Sequence, residues 1–221
     1  MRRAAVLTGL MLTIAGGLTG CGARPVSMVR ADANYHYFRG EFAEAQPLYE
    51  EVVDRRAAHA EAHYELGRNL LALGRASEAR EQMILAYNLE PHNEAYFEGM
   101  ADAYLAAGDE EALFNALEHQ IRDRGSVEDY LRFGKYAQKL GQADEAERAL
   151  LGAAEIDGGQ TPEPQLALAD FYRTVGDREN EIRRLRMALW FNPSDAEIEA
   201  RLRELGQVPG PTFVLQPVGR E

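Results

Sequence analysis

The sequence predicts an all-α protein, an α-solenoid of about five helical hairpins closed by a C-terminal capping helix. Three observations carry this. A glycine recurs as Gly40, Gly74, Gly108, Gly141 and Gly176, at intervals of 34, 34, 33 and 35 residues. A small residue stands seven positions before each of them: Ala33, Gly67, Ala101, Gly134 and Ala169. The chain is dominated by Ala, Leu, Glu and Arg, which favour helix, and holds no long strand-like alternation.

The unit 60–93 is the clearest. Two amphipathic patterns meet at Gly74, and Pro91 closes them off. Leu66, Leu70 and Leu73 before the turn, and Met83, Leu85 and Leu89 after it, are expected on the buried faces. The turn calls for glycine because a helix often ends on a residue of positive φ. At Gly67 the paired helices are expected to cross closely. One such hairpin cannot bury both its faces, so neighbours must stack on it. The units are read as 26–59, 60–93, 94–126, 127–161 and 162–195.

Departures from the pattern give further expectations. Five residues after the turn glycine stand Ala45, Ala79 and Ala146; unit three has Ala112 one place early, which accounts for its shorter interval. Unit five has Glu181 there, which is expected to loosen its hairpin. Asp32 replaces the apolar residue of Leu66, Met100, Phe133 and Leu168, so the first helix is the weakest of the set. Pro47 lies inside a helical pattern, where it removes a hydrogen bond; the helix is expected to start late or bend.

These positions resemble the tetratricopeptide repeat. Unit two reads His63, Leu66-Gly67, Leu70, Ala79, Met83, Ala86, Pro91; unit four reads Tyr130, Phe133-Gly134, Ala137, Ala146, Leu150, Ala153. Unit three has Phe97, Met100-Ala101 and Tyr104, and unit five Leu168-Ala169, Tyr172, Leu185, Ala188 and Pro193. The resemblance spans residues 26–195 and implies a right-handed superhelix. It also implies a concave groove lined by the first helix of each unit. Carried onto this chain, that groove holds Arg30, Asn34 and Tyr37; Tyr64, Arg68 and Leu71; Glu98, Asp102 and Leu105; Leu131, Lys135 and Lys139; Leu166, Asp170 and Arg173. Mixed charge with interspersed aromatic and Leu residues suits an extended peptide or a partner helix. The carboxylate clamp of some family members is not expected, because Glu65, Ala95 and Gly99 stand where it needs Asn and basic residues.

The first twenty residues are read apart from the fold. Met1-Arg2-Arg3 is a basic start, and Ala4 to Leu18 an apolar run of signal-peptide length, short for a transmembrane helix. Leu18-Thr19-Gly20-Cys21 resembles a bacterial lipobox. The resemblance implies cleavage before Cys21 and acylation of its sulfur and new amine; residues 21–25 are then a short tether. A secreted protein with an incidental cysteine and an uncleaved anchor are the alternatives. Cys21 is the only cysteine, which excludes an internal disulfide. Several acyl chains on one residue anchor stably where one is marginal.

The formal charge is −12 at pH 7, and cleavage removes Arg2 and Arg3, leaving 22 − 36 = −14. So acidic a surface argues against nucleic acid as the main partner and is repelled by anionic headgroups. The membrane is therefore met through the lipid, with the repeats standing off. In the enterobacterial lipoproteins that this segment resembles, Asp after the cysteine signals inner-membrane retention, so the resemblance with Gly22 there implies the outer membrane, facing the periplasm.

At the other end, Ser194 or Asp195 can cap a helix within residues 196–206, with Ile198, Leu202 and Leu205 on one face. It is expected to pack on Leu189 and Phe191, with Trp190 at the same joint. Residues 207–221 form a proline-rich extended tail. Its Phe213-Val214-Leu215 could enter the groove as a plug, pack beside the capping helix, or stay free.

No nucleophile–base pair, phosphate-cradling loop or metal set stands out, so neither an enzyme nor a cofactor is expected. His59 and His63 lie four apart, but no third ligand is placed. The combination resembles the tetratricopeptide lipoproteins that pilot secretins of pili and the one that serves outer-membrane barrel assembly. It implies a non-catalytic, lipid-anchored scaffold binding another envelope protein. The alternative is a regulatory or targeting subunit of an envelope enzyme such as a peptidoglycan hydrolase.

Overall fold

The computed structural model describes residues 24–208, 210 and 213–217. The expected leader 1–20 and Cys21 lie outside the described residues. Eleven α-helices and no strand occur among the described residues. They are α1 (Val26–Phe38), α2 (Phe42–Arg55), α3 (Ala60–Ala72), α4 (Ala76–Leu89), α5 (Glu94–Ala107), α6 (Glu110–Asp123), α7 (Val127–Lys139), α8 (Ala143–Asp157), α9 (Glu163–Val175), α10 (Arg178–Ala188) and α11 (Ala196–Glu204). Each odd helix pairs with the next to make five hairpins, and α11 closes the stack. This is the all-α solenoid that the period predicts.

The hairpin turns follow from the glycines. All five turn glycines have φ between 70° and 78°, a region an L side chain rarely enters. Polar caps start several helices. Asp109 and Asp177 accept from Ala112 and Asn180, Asn93 from Ala95, and Ser126 with Asp129 forms a full capping box on α7.

Close crossings follow from the small residues. Ala33, Ala101 and Ala169 are fully buried. A Cβ added at Gly67 would lie 3.0 Å from Met83 Cε, and one at Gly134 would lie 2.6 Å from Leu150 Cδ2. The core runs along the stack as linked clusters. Tyr49, Leu66 and Leu70 join units one and two; Met83, Phe97, Met100, Leu117 and Tyr136 join two to four; Leu150, Leu168 and Phe171 join four and five.

Several expectations need correction. Leu85 and Leu89 are exposed; α4 buries Ala79, Met83 and Ala86, one narrow stripe at three- and four-residue steps. In unit three the buried residue after the turn is Leu113, not Ala112. Both α4 and α6 start two residues after their glycine, so α6 keeps the register. The lost residue comes from the loop 124–126, against 90–93 in the unit before.

Glu181 does not loosen its hairpin. It is buried and accepts from Arg201 Nε of α11 at 2.7 Å. α1 forms despite Asp32, which points outward to Arg24 at 2.6 Å. α2 starts at Phe42, well before Pro47, so the proline does not delay it; the carbonyl of Ala43 simply lacks its helical donor.

Asp195 caps α11 by accepting from Glu197 and Ile198; Ile198 and Leu202 pack on Leu189 as expected and on Leu185, while Phe191 is not part of that cluster. Trp190 does not join them. It lies past the end of α10 and is 40% exposed. The tail packs beside the cap. Phe213 and Val214 rest on the α9–α11 cluster, Arg186 donates to the Phe213 carbonyl at 2.7 Å, and the Leu215 amide donates to Arg186 O at 3.0 Å. Tyr64, Leu71 and Leu131 belong to other units' clusters, so the described part of the tail, residues 213–217, does not plug the groove.

Candidate protein-binding groove

The first helices of the hairpins, α1, α3, α5, α7 and α9, repeat their positions at nearly constant spacing. Equivalent side chains therefore meet between neighbouring units. The residues expected in the groove are brought together this way, and most are already partnered. Arg30 donates to both oxygens of Glu65 at 2.8 Å and also pairs with Glu61. Those partners raise the Arg30 pKa, chiefly through the Glu65 hydrogen bonds. Asn34 accepts from the buried Tyr49 hydroxyl at 2.6 Å, which turns its carbonyl inward.

Tyr37 and Arg68 meet between units one and two. Arg68 donates to the Tyr37 hydroxyl at 3.1 Å and lies over the rings of Tyr37 and Tyr64, 4.9 and 5.7 Å from their centres. Among the described residues no carboxylate pairs with Arg68. Cation and rings hold one another, and the guanidinium charge stays unneutralised.

The centre of the groove is a charge ladder. Glu98 accepts from Arg132 at 2.7 Å, Lys135 at 3.1 Å and the Tyr136 hydroxyl at 3.0 Å. Asp102 shares that one Tyr136 hydroxyl proton with Glu98, its oxygen 2.9 Å from the phenol, and accepts from Lys139 at 3.4 Å. Burial works to raise the Glu98 carboxyl, but the hydrogen bonds of Arg132 and Lys135 outweigh it and hold the group below the usual glutamate range. Burial, with Asp102 and Glu98 alongside, pushes the Tyr136 phenol up, so it remains a donor. Leu131 lies half-buried against α8 and α9. At the far end Asp170 pairs with Arg201 at 2.6 Å, and Arg173 is exposed.

Two recesses result. One of about 440 Å³ is lined by Tyr37, Tyr64, Arg68 and Leu71, with Met83, Glu98, Gly99 and Asp102. Gly99 keeps it open: a Cβ there would lie 2.8 Å from both Met83 Sδ and a Tyr64 ring carbon. The second, of about 580 Å³, lies between Leu166, Asp170 and Arg173 and the cap residues Ile198, Arg201 and Glu204. A third, of about 370 Å³, sits outside the groove between α6, α7 and α8, floored by Phe114, Tyr130 and Phe133.

Glu65, Arg132, Tyr136 and Arg201 are groove residues that the sequence reading missed. The signal was available for three of them: each has a groove residue of opposite charge or polarity about one repeat away. Arg201 had none, since it lies on the cap. His63 is buried, with Nε2 2.8 Å from Ala57 O and Nδ1 2.8 Å from the Gln82 side chain, so both ring nitrogens are engaged. No cluster of three metal-ligating residues occurs among the described residues, and no helix among them is long and apolar enough to cross a membrane.

Residues 39–96 match the model of a family described as tetratricopeptide repeat. No curated protein matches the chain. Solved structures share the fold. A putative kinesin light chain of Podospora anserina with nearly identical repeats is 19% identical, covers 81% of this chain and 96% of its own, and gives a TM-score of 0.58. A tetratricopeptide repeat protein from Parabacteroides merdae is 16% identical over 81% of this chain and 72% of its own, with a TM-score of 0.57. MamA is 18% identical over 84% of this chain and 98% of its own, with a TM-score of 0.56. Residues 39–96 thus carry the tetratricopeptide-repeat match, and the chain shares the fold of these solved structures.

Proposed function

We propose that the protein is a non-catalytic scaffold, held to the cell envelope by lipid on Cys21, which grips an envelope partner in its concave groove. The observation that carries the reading is the recess around Arg68. Two tyrosine rings fix an unneutralised guanidinium beside the apolar Leu71 and Met83. Fixed aromatic and arginine groups inside a groove are the kind that anchor a partner. Arg30, Glu98, Asp102, Lys135, Lys139 and Asp170 are each held in ion pairs, so they shape the surface more than they attract. An extended peptide or a helix carrying an acidic residue next to an apolar one fits this arrangement.

The lipobox supplies the location. An acidic chain anchored at its N-terminus faces the periplasm, in the outer membrane by the residue after Cys21. Partners in secretin, pilus or barrel assembly suit that setting.

The test is affinity isolation from detergent-solubilised membranes. A partner that co-isolates with the wild-type protein is expected to be lost from the Arg68→Glu and Tyr64→Ala variants, both judged folded by circular dichroism. A partner retained by both variants contradicts the groove.

A further inference from the structure

The first helix carries two faces with opposite fates. Val29 and Ala33 are fully buried against units one and two. On the other side Met28, Ala31, Tyr35 and Phe38 are all exposed, Phe38 at 79%. At 3.6 residues per turn these four fall within about 80° of one another, centred opposite the buried face. No charged residue interrupts the stripe. It is the end of the solenoid, where in the interior another hairpin would stack.

We propose that this face of α1 lies in the surface of a lipid bilayer, so that the protein stands end-on with its groove rising from the membrane. The proposal rests on the Cys21 anchor proposed above. Three observations point to lipid as the occupant. The first is reach: the tether from Cys21 to Pro25 spans at most about 18 Å. An anchor at Cys21 thus keeps α1, whose 13 residues extend about 20 Å, beside the bilayer.

The second is charge. Residues 24–41 hold Arg24, Arg30 and Arg39 against Asp32 and Glu41, a balance of +1 in a chain of −12. The acidic surplus that repels headgroups lies elsewhere on the solenoid. Within this segment Arg24 pairs with Asp32 and Arg39 with Glu41, so neither carboxylate is left bare. The third is residue type. Tyr35 and Phe38 flank the stripe's end, and Arg39 lies over the Tyr35 ring at 5.3 Å from its centre. Aromatic rings with a guanidinium at their edge suit the headgroup boundary, where one side is apolar and the other wet.

The experiment uses the full chain held on vesicles of phosphatidylethanolamine and phosphatidylglycerol. The anchor is either the native acyl groups or a maleimide phospholipid coupled to Cys21, the only thiol. A tryptophan reporter is placed by Phe38→Trp in a Trp190→Phe background, and the native Trp190 is the control. We expect the reporter at position 38 to shift to the blue and to be quenched by brominated lipid, while Trp190 is not. Serine at Met28, Tyr35 and Phe38 together is expected to speed transfer of the acylated chain between vesicles by roughly a hundredfold. A reporter quenched no more than Trp190 overturns the proposal. So does a blue shift that grows with protein density yet ignores brominated lipid, which assigns the face to a second copy. Whether cells acylate Cys21 is read separately by mass spectrometry, and a negative answer there bears on the anchor alone.

Discussion

Arg201 on the capping helix donates to the buried carboxylate of Glu181 at 2.7 Å, across the joint between the last hairpin and the cap. The same guanidinium reaches the Ala169 carbonyl at 2.8 Å and Asp170 at 2.6 Å. One side chain thus ties both helices of unit five to α11. Glu181 stands where the other units have Ala45, Ala79, Leu113 and Ala146, and it is tolerated because the cap supplies its counter-charge. Removing one partner of such a pair leaves a buried charge uncompensated, which typically costs about 3–5 kcal/mol. Arg201→Ala is expected to destabilise the protein by about 3 kcal/mol in denaturant unfolding. The double variant Arg201→Met with Glu181→Ala should recover most of that loss. Equal stability of Arg201→Ala and wild type contradicts the assignment.

Gly134 sets the crossing of α7 and α8. A side chain there meets Leu150 well inside contact distance. Gly134→Leu is expected to cost about 1–3 kcal/mol or more. Stability in stacked repeats is largely a matter of neighbours, so protection from hydrogen exchange should fall first in α5–α6 and α9–α10 after α7–α8 itself. Protection of α7–α8 equal to that of the wild type rules this out.

The acid limb of stability should report the charge network of α5 and α7. Burial works to raise the Asp129 carboxyl, but Arg124 and Ser126 outweigh it, and Asp129 and Glu98 both sit below their ordinary values. A carboxyl depressed in the folded state binds its proton later than in the unfolded chain. Its contribution is complete above the unfolded value, about 3.9 for Asp and 4.3 for Glu, and is lost as pH falls through the folded value. Urea unfolding should therefore show stability falling below about pH 4, with a shallower fall in Asp129→Asn. An unchanged slope in that variant contradicts the role of Asp129.

The tail is a strap on the cap. Deleting residues 207–221 removes Phe213 from the Arg186 guanidinium, 4.5 Å from its ring centre, and uncovers the Leu185–Leu202 cluster. The melting temperature is expected to drop while affinity for a groove partner stays the same. A rise in affinity on deletion restores the plug that the structure argues against.

Cys21→Ser is expected to abolish incorporation of a palmitate analogue and to move the protein out of the membrane fraction. A labelled, membrane-bound variant is incompatible with the lipobox reading.

The repeat period was legible because it depends on backbone requirements at single positions. Gly40, Gly74 and their equivalents need positive φ, and Gly67 and Gly134 need space, so each leaves a residue type that can be counted. The departures were less legible because they depend on partners distant in sequence. Nothing near Glu181 announces Arg201, twenty residues on. Ala112 matches the pattern one place early, yet Leu113 is the buried residue, the register of α6 is kept and a loop residue is lost instead. Leu85 and Leu89 share a helix with Met83 but stand off its narrow buried stripe. In the groove the pairing was not legible: Glu98 and Asp102 face Lys135 and Lys139 as partners, whereas among the described residues Arg68 pairs with no carboxylate. Trp190 is expected at the joint with the capping helix, but its place after the end of α10 leaves it partly in water.

The concave groove as the binding surface is tested most directly by site-specific photocrosslinking in living cells. A benzoylphenylalanine is placed at Tyr64 inside the groove, and at Glu118 beside the recess of α6 and α8 outside it. The account predicts one discrete adduct from position 64, lost when Arg68→Glu is added, and none from position 118. An adduct from position 118 alone, or one from position 64 that survives Arg68→Glu unchanged, contradicts it.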